Sequence, residues 1–237
     1  MPPTLLAIDT ATEVCSVALA RDGRIVECAE EVGQKHSERI LPMVQSLLRQ
    51  AGLSLGDCDA FAFGAGPGAF TGLRIACGIA QGLAFGAGRP VIAVGNLEAL
   101  ALAASEEAPG ARTVVVAIDA RMHEAYWAVY SVGAGALVEV AAPALAAADE
   151  LAAICSRHGP DLVAGNALRA FPEVAAALAC AKAPQASAGA AAIARLAVGR
   201  FERGAAVPAE QAAPVYVRDR VALTIDERRA LAAARSR

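Results

Sequence analysis

The glycine-rich stretch GAGPGAFTGLR, from Gly64 to Arg74, has the residue types of a loop that cradles phosphate. A Walker A loop requires Gly-x-x-x-x-Gly-Lys followed by Ser or Thr, and no lysine occurs between Gly64 and Phe85. The looser dinucleotide pattern lacks its acidic partner, because the next apolar run, VIAVGN, ends in glycine and asparagine. We therefore predict a tight turn that feeds a helix, with Thr71 as a candidate N-cap, rather than a triphosphate loop.

Two aspartates, Asp9 and Asp119, end apolar runs of the same type, LLAID and VVVAID. In both places the pattern continues as a short turn, an alternating strand, a glycine-containing turn and a third strand. The glycine turns are Asp22-Gly23 and the segment 133–135, and the first is a strong hairpin signal. An aspartate in this place is either a buried carboxylate that pins the hairpin or a side chain available to bind a ligand, and the sequence leaves both interpretations open.

The three histidines, His36, His123 and His158, are the remaining candidates for a metal site or a general base. They lie too far apart for two imidazoles to share one helix face, which needs a spacing of three or four residues. Ser37 beside His36 resembles a nucleophile beside its base, but adjacent residues do not face each other, and Ser37 is better explained as a helix N-cap. We predict no catalytic residue and no metal site.

Composition and charge exclude further classes. The six cysteines include no Cys-x-x-Cys pair, so we expect reduced, mainly buried thiols rather than zinc ligands or disulfides. A net charge of −3 gives no overall electrostatic footprint for nucleic acid. The start, MPPTLLAIDTATE, lacks the basic segment of a signal peptide, and every run of about 18 residues contains charged or turn-forming groups, which does not support a membrane span. We expect a cytoplasmic protein without membrane contact.

The elements that position these residues alternate between strands and helices. The predicted elements of the first half are a helix over 37–50 ended by Gly52, a strand over 60–63, a helix over 71–85, the strand PVIAV and a helix that begins at Asn96. The second half has a helix over 143–158, the strand DLVAGN, alanine-rich helices to Arg203 and an arginine-rich helical tail. This order predicts an α/β fold of two duplicated halves, residues 1–108 and 109–237.

Four motifs in this order resemble one known family: LLAIDTATEVCSVAL, GAGPGAFTGLR, DARMHEAYWAVY and PVYVR. The chain is similar to the bacterial TsaB (YeaZ-type) subunits of the tRNA threonylcarbamoyladenosine system, over roughly Leu5 to Arg218. The resemblance implies an actin-like fold, of the hexokinase and Hsp70 ATPase type, with duplicated half-domains. It also implies a noncatalytic dimerisation and scaffold subunit, which is required for transfer of threonylcarbamoyl to the adenosine next to the anticodon in tRNAs that read codons starting with A.

The resemblance also implies partners and a vestigial site. The partners are a TsaD-type transferase, a TsaE-type ATPase and, when these are absent, a second copy of the chain, whereas tRNA is reached only through the complex. In the transferase two histidines one helical turn apart hold the metal, and the matching segment GNLEALA has Asn96 and Leu100 there. The nucleotide cleft is implied to be weak or vestigial, with no cofactor in the isolated chain and with ATP or ADP left open for the complex. Its residues are Asp9, Thr10, Thr12 and Asp119.

The helix after the glycine stretch has so many small residues that another backbone can approach it closely. Together with the resemblance, this predicts an interface in which the helices over 37–50 and 71–85 pair with those of the transferase or of a second copy. The predicted interface residues are Leu41, Val44, Leu48, Gly72, Leu73, Ala76, Ile79 and Ala80. Two alternatives remain open: an independent ATP-dependent phosphotransferase of the same fold that uses Asp9 and Asp119, and a peptidase.

Overall fold

Residues 2–133 and 136–218, which the computed structural model describes, form two five-stranded sheets. The strands of the first sheet are β1 Leu5–Asp9, β2 Val14–Arg21, β3 Arg24–Glu31, β4 Ala60–Gly66 and β5 Val91–Gly95. The strands of the second sheet are β6 Thr113–Asp119, β7 Glu124–Gly133, β8 Ala136–Ala147, β9 Leu162–Ala164 and β10 Ala181–Ala183. The helices are α1 His36–Gln50, α2 Phe70–Ala87, α3 Asn96–Glu107, α4 Ala148–His158, α5 Ala167–Ala170, α6 Pro172–Ala177 and α7 Ala190–Glu202.

The two sheets repeat one topology. The first has the order β3-β2-β1-β4-β5 and the second has the corresponding order β8-β7-β6-β9-β10. In each sheet an antiparallel meander of three strands is extended by two parallel strands. The predicted α/β fold with duplicated halves is therefore confirmed. The first hairpin turns at Asp22-Gly23, where both residues have positive φ, as the sequence predicts.

Helix α1 covers one face of the first sheet with a stripe of apolar residues that pack against Phe61 and Phe63. It begins at His36, one residue before the predicted start, and its N-cap is Lys35, so the prediction of Ser37 as the cap is wrong. The His36 ring fixes this end of the helix, because its Nε2 lies 2.8 Å from the Thr12 carbonyl oxygen. The helix ends as predicted, with Gly52 in the left-handed region.

Helix α2 lies beside α1 on the same sheet face. The predicted cap Thr71 is wrong, because Ala69 is the N-cap and no side chain caps this helix. Backbone contacts hold this end instead, since the Ala69 amide donates to the Ala11 carbonyl at 2.9 Å. By length and composition α2 is apolar enough to cross a membrane, a test that core helices also pass, and it packs on β4.

In the second half the predicted helix over 143–158 is wrong in its first part. Strand β8 continues to Ala147, which pairs with Glu124, and α4 begins only at Ala148. Pro143 lies where the register between β7 and β8 shifts, so its missing N–H is tolerated there. The second glycine turn, at 133–135, and the arginine-rich tail beyond Arg218 lie wholly or partly outside the described residues.

Helix α7 follows the second sheet in sequence but packs on the first. Its residues Ala190, Ile193 and Ala197 share a core with Leu5 and Ala18. The Ala190 amide donates to Ser16 Oγ at 2.9 Å. The division at 108/109 remains a prediction, and the first sheet takes one of its covering helices from the later part of the chain.

After α7 the chain runs over the first half and then reaches the second, and we call residues 205–218 the C-terminal strap. Val207 pairs with Val91 at the edge of the first sheet, and the Val215 amide donates to the Ala65 carbonyl at 2.7 Å. At its far end Arg218 donates to the Ala120 carbonyl at 3.1 Å and pairs with Glu124. The strap thus connects the two halves.

Candidate functional site

Asp9, the first candidate for phosphate or metal binding, ends β1 inside the core. Its side chain is 1% exposed, and Asn96 Nδ2 donates to its Oδ1 at 2.9 Å. Burial raises the pKa of Asp9 to about 7, although the hydrogen bonds from Asn96 and the Ala11 amide oppose the shift. A carboxyl in this position pins the strand end to α3 and has almost no surface to offer a ligand.

The glycine stretch explains why Asp9 is enclosed. A Cβ at Gly64 would overlap Asp9 Oδ1 and lie 2.7 Å from Asn96 Nδ2. A Cβ at Gly72 would overlap the Thr10 carbonyl oxygen. Glycine is needed at these positions because the stretch packs directly against the turn that follows β1. The expected tight turn feeding a helix is present, and the β1 turn is its packing partner.

The polar groups of the β1 turn are used within the protein. Thr10 is buried, and its Oγ1 donates to the Gly72 carbonyl at 2.7 Å. Thr12 Oγ1 accepts a hydrogen bond from the Val14 amide at 3.2 Å. The space next to this turn is thus filled by the start of α2. The vestigial nucleotide cleft remains a prediction, and two of its predicted residues, Asp9 and Thr10, lie in the core.

Asp119, the counterpart of Asp9 in the second half, is more accessible. Its amide donates to Asn166 Oδ1 at 2.8 Å, and its Oδ1 accepts from the Arg121 amide at 2.9 Å. The Arg121 guanidinium lies 3.3 Å from Asp119 Oδ2 and 3.4 Å from Glu13 Oε1. Arg121 therefore bridges the turns of the two halves, so the structure connects Asp119 to the first turn through Glu13 and not through Asp9.

The turn after Asp119 has an unusual backbone that the sequence did not indicate. Arg121, Met122 and His123 have φ values of 63°, 57° and 59°, and such left-handed residues cost roughly 1–3 kcal/mol each when they are not glycine. Surrounding contacts hold the turn. The Ala148 amide donates to the His123 carbonyl at 3.0 Å, and Arg218 Nη1 lies 3.3 Å from Met122 Sδ.

The three histidines have separate surroundings. The His36 ring contacts the Thr12 carbonyl at the start of α1. The His123 ring lies edge-on to the Phe171 ring, and the two ring centroids are 5.3 Å apart. The His158 and Trp127 rings are 6.1 Å apart. Within the described part of the chain, no three His, Cys, Asp or Glu residues are grouped so that they could hold a metal ion.

Most of the predicted interface residues lie inside the fold. Leu41 is 42% exposed and Ile79 is half-buried, whereas the other six are buried. The buried ones are Val44, Leu48, Gly72, Leu73, Ala76 and Ala80. The interface remains a prediction, and its contacts would have to come from the outward residues of the same helices. These include Phe70 and Phe85, the latter 82% exposed. Residues 70, 74, 78, 82 and 85 recur at helical spacing, and this spacing is the sequence signal that identifies the outward face of α2.

Phe70, Arg74 and Tyr216 form an exposed cluster at the start of the outward face of α2. The Arg74 guanidinium lies 3.9 Å from the centre of the Phe70 ring, and Arg74 Nε donates to the Tyr216 hydroxyl at 3.0 Å. The Phe70 and Tyr216 rings are 5.4 Å apart. Aromatic residues and arginine are enriched at protein interfaces, so this group is suited to contact another protein.

Comparison with known proteins gives consistent matches. Residues 28–198 match the family model "TsaD: tRNA N6-adenosine threonylcarbamoyltransferase". The chain is 55% identical over 124 residues to the "tRNA threonylcarbamoyladenosine biosynthesis protein TsaB" of Haemophilus influenzae, over 52% of each chain. The same identity holds over 126 residues to the protein of that name from Escherichia coli, over 53% of this chain and 54% of the relative. The matched region thus spans about half the length of these curated relatives.

A solved structure matches over a longer range. It is a Pseudomonas aeruginosa protein described as uncharacterized "with similarity to peptidase YEAZ", with a TM-score of 0.83 and 42% identity. The match covers 91% of this chain and all of that one. A second structure, "YeaZ from Pseudomonas aeruginosa", gives a TM-score of 0.80 at 41% identity and covers 90% of this chain and 99% of that one.

Proposed function

The chain belongs to the TsaD family, as a member of its TsaB/YeaZ type, and from this premise we propose that it is an accessory subunit in threonylcarbamoyladenosine formation on tRNA. It supports a TsaD-type transferase that modifies the adenosine next to the anticodon, and it does not itself form or break bonds. It acts in the cytoplasm with a TsaE-type ATPase as a further partner, and it reaches tRNA only through the complex.

The filled β1 turn is the observation that carries the noncatalytic part of the proposal. In the fold that the chain resembles, the corresponding turn is one of the two that bind phosphate and metal. Here Gly72 brings the start of α2 against Thr10, and Asp9 is enclosed between Gly64 and Asn96. Helix α3 supports the same conclusion, because Leu100, one of the two positions that match the transferase histidines, has no ligating atom and is buried.

The chain instead exposes a surface that another protein can bind. The outward side of α1 and α2 presents Leu41, Phe70 and Phe85, which are large apolar residues exposed on adjacent helices. Two such helices can pack with two helices of a partner as a four-helix interface, and a standard interface buries about 800 Å² per partner. A second copy would use the same surface, so the homodimer and the transferase complex compete.

Reconstitution of threonylcarbamoyladenosine synthesis tests the proposal. Product formation by the transferase and the ATPase should fall strongly when this chain is omitted and return when it is added. Leu41→Glu should prevent that recovery, because it places a charge in the interface at a position that the fold itself leaves exposed. Glu38→Gln is the matched control on an exposed position of the same helix.

Two results would contradict the proposal. One is full product formation without this chain, and the other is full recovery with a folded Leu41→Glu variant. The alternative of an independent phosphotransferase predicts ATP turnover by the isolated chain that Asp9→Asn abolishes. The peptidase alternative predicts proteolysis that a chelator inhibits. The predicted interface residue Ala76 is unsuitable for such a substitution, because it is fully buried within the chain.

A further inference from the structure

A cavity of about 250 Å³ lies between the two sheets, on the side where β4 and β5 end. Its walls come from the start of α3, from β7 and β8, from α7 and from the C-terminal strap. In sheets with parallel strands, ligands bind in the crevice outside the carboxyl ends of those strands. The β1 turn, filled by the glycine stretch, does not line this cavity.

Tyr130 on β7 contributes a hydroxyl to the cavity. The residue is 3% exposed and lines the cavity, and within the described residues its hydroxyl has no hydrogen-bond partner. Burial, reinforced by the nearby carboxylates of Glu98 and Glu139, raises the pKa of Tyr130, so the hydroxyl keeps its proton. Among the described residues the side-chain atoms that are enclosed without a partner are Trp127 Nε1 and Arg218 Nε, so the Tyr130 hydroxyl opens onto the cavity, where a ligand can reach it.

Two carboxylates flank this hydroxyl. Glu98, in the first turn of α3, pairs through Oε2 with Arg200 Nη2, and Arg200 Nη1 donates to the Ala93 carbonyl. In the part of the chain that the structure describes, Glu98 Oε1 has no partner. Glu139 lies directly opposite Tyr130 in the register of β7 and β8, at the exposed mouth of the cavity. The polar lining therefore has two negative charges against the one positive charge of Arg200.

We propose that this cavity binds a small compound that carries a primary ammonium group on a short aliphatic chain. An ammonium group has three N–H donors and no acceptor. The cavity offers three groups that accept: Glu98 Oε1, the Tyr130 hydroxyl and the Glu139 carboxylate. The apolar walls, formed by Leu97, Pro143 and Val215, take the chain. A ligand with a carboxylate or phosphate would face the two glutamates and be repelled. The proposal is independent of the role in tRNA modification.

Amide chemical shifts of the full chain, labelled with nitrogen-15, test this site with three probes of similar size. We expect n-butylammonium to cause saturable shifts at the amides of Gly95, Leu97 and Glu98, whereas 1-butanol and butyrate should not. Tyr130→Phe should weaken n-butylammonium binding roughly fivefold, because it removes one uncharged hydrogen-bonding partner. Tyr126→Phe, on the same strand but outside the cavity, is the matched control and should bind like the unmodified chain.

Glu139→Gln provides a second test at an exposed position, where the substitution leaves the core unchanged. It should also weaken n-butylammonium binding, because it removes one of the two negative charges. Shifts of similar size with all three probes would overturn the proposal. Binding that is unaffected by both Tyr130→Phe and Glu139→Gln, or an absence of saturable shifts at the start of α3, would overturn it as well.

Discussion

The close contact between Gly72 and the β1 turn allows a sharp test by alanine substitution. A Cβ at Gly72 would overlap the Thr10 carbonyl oxygen, which is backbone and therefore moves only with its strand end. Inserting a methyl group into a packed core costs about 1–3 kcal/mol. Displacing α2 would also weaken the hydrogen bond from Thr10 Oγ1 to the Gly72 carbonyl, a loss of about 1 kcal/mol. Gly72→Ala should thus lower the free energy of unfolding by roughly 2–4 kcal/mol.

Gly78 on the same helix is the matched control. Nothing lies within 4 Å of a Cβ added there. Gly78→Ala should therefore raise the free energy of unfolding by as much as about 1 kcal/mol, through higher helix propensity alone. Urea denaturation at two protein concentrations measures both variants and separates folding from self-association. If Gly72→Ala is as stable as Gly78→Ala, the packing of the glycine stretch against the β1 turn is not as described.

Two further predictions concern charged groups. Because burial raises the pKa of Asp9 from 3.8 to about 7, ionisation of this carboxyl opposes folding. Between pH 4 and pH 7 the unmodified chain should therefore lose about 3 kcal/mol of unfolding free energy relative to Asp9→Asn. A difference between the two chains that does not change over this range would contradict the prediction. Arg218→Gln should lower the free energy of unfolding by about 2 kcal/mol, because it removes a charged donor from Ala120 and Glu124 at a nearly enclosed site. Arg39→Gln, which removes an exposed ion pair with Glu30, is its control and should have a smaller effect in the same urea titration.

Local patterns were sufficient to predict the repeated topology. Alternating apolar residues, the Asp22-Gly23 turn and Gly52 all depend on short-range rules, and the structure has strands, a hairpin and a helix end where those rules place them. The predicted caps Ser37 and Thr71 were wrong for a common reason. Both helix starts are held by contacts to the β1 turn, and such contacts between distant segments leave no local signal in the sequence.

The candidate site was predictable only in part. The composition of the glycine stretch indicated close backbone approach, but which segment approaches it depends on the tertiary fold. The apolar stripe of α1 indicated buried residues, yet Val44 and Leu48 are buried within the chain and only Leu41 faces outward. The three left-handed residues after Asp119 are not glycine, so no residue type marked them. Strain of this kind is imposed by neighbouring segments, here by Arg218 and Ala148.

The position of α7 has a consequence for synthesis on the ribosome. Until residues 190–202 emerge, one face of the first sheet, with Leu5 and Ala18, lacks α7 and is covered only at β4 and β5, by α3. The amino-terminal part of the nascent chain therefore exposes apolar strands while the second sheet is still being translated. Completion of that layer must wait for a segment about 100 residues downstream of β5, which raises contact order and slows folding.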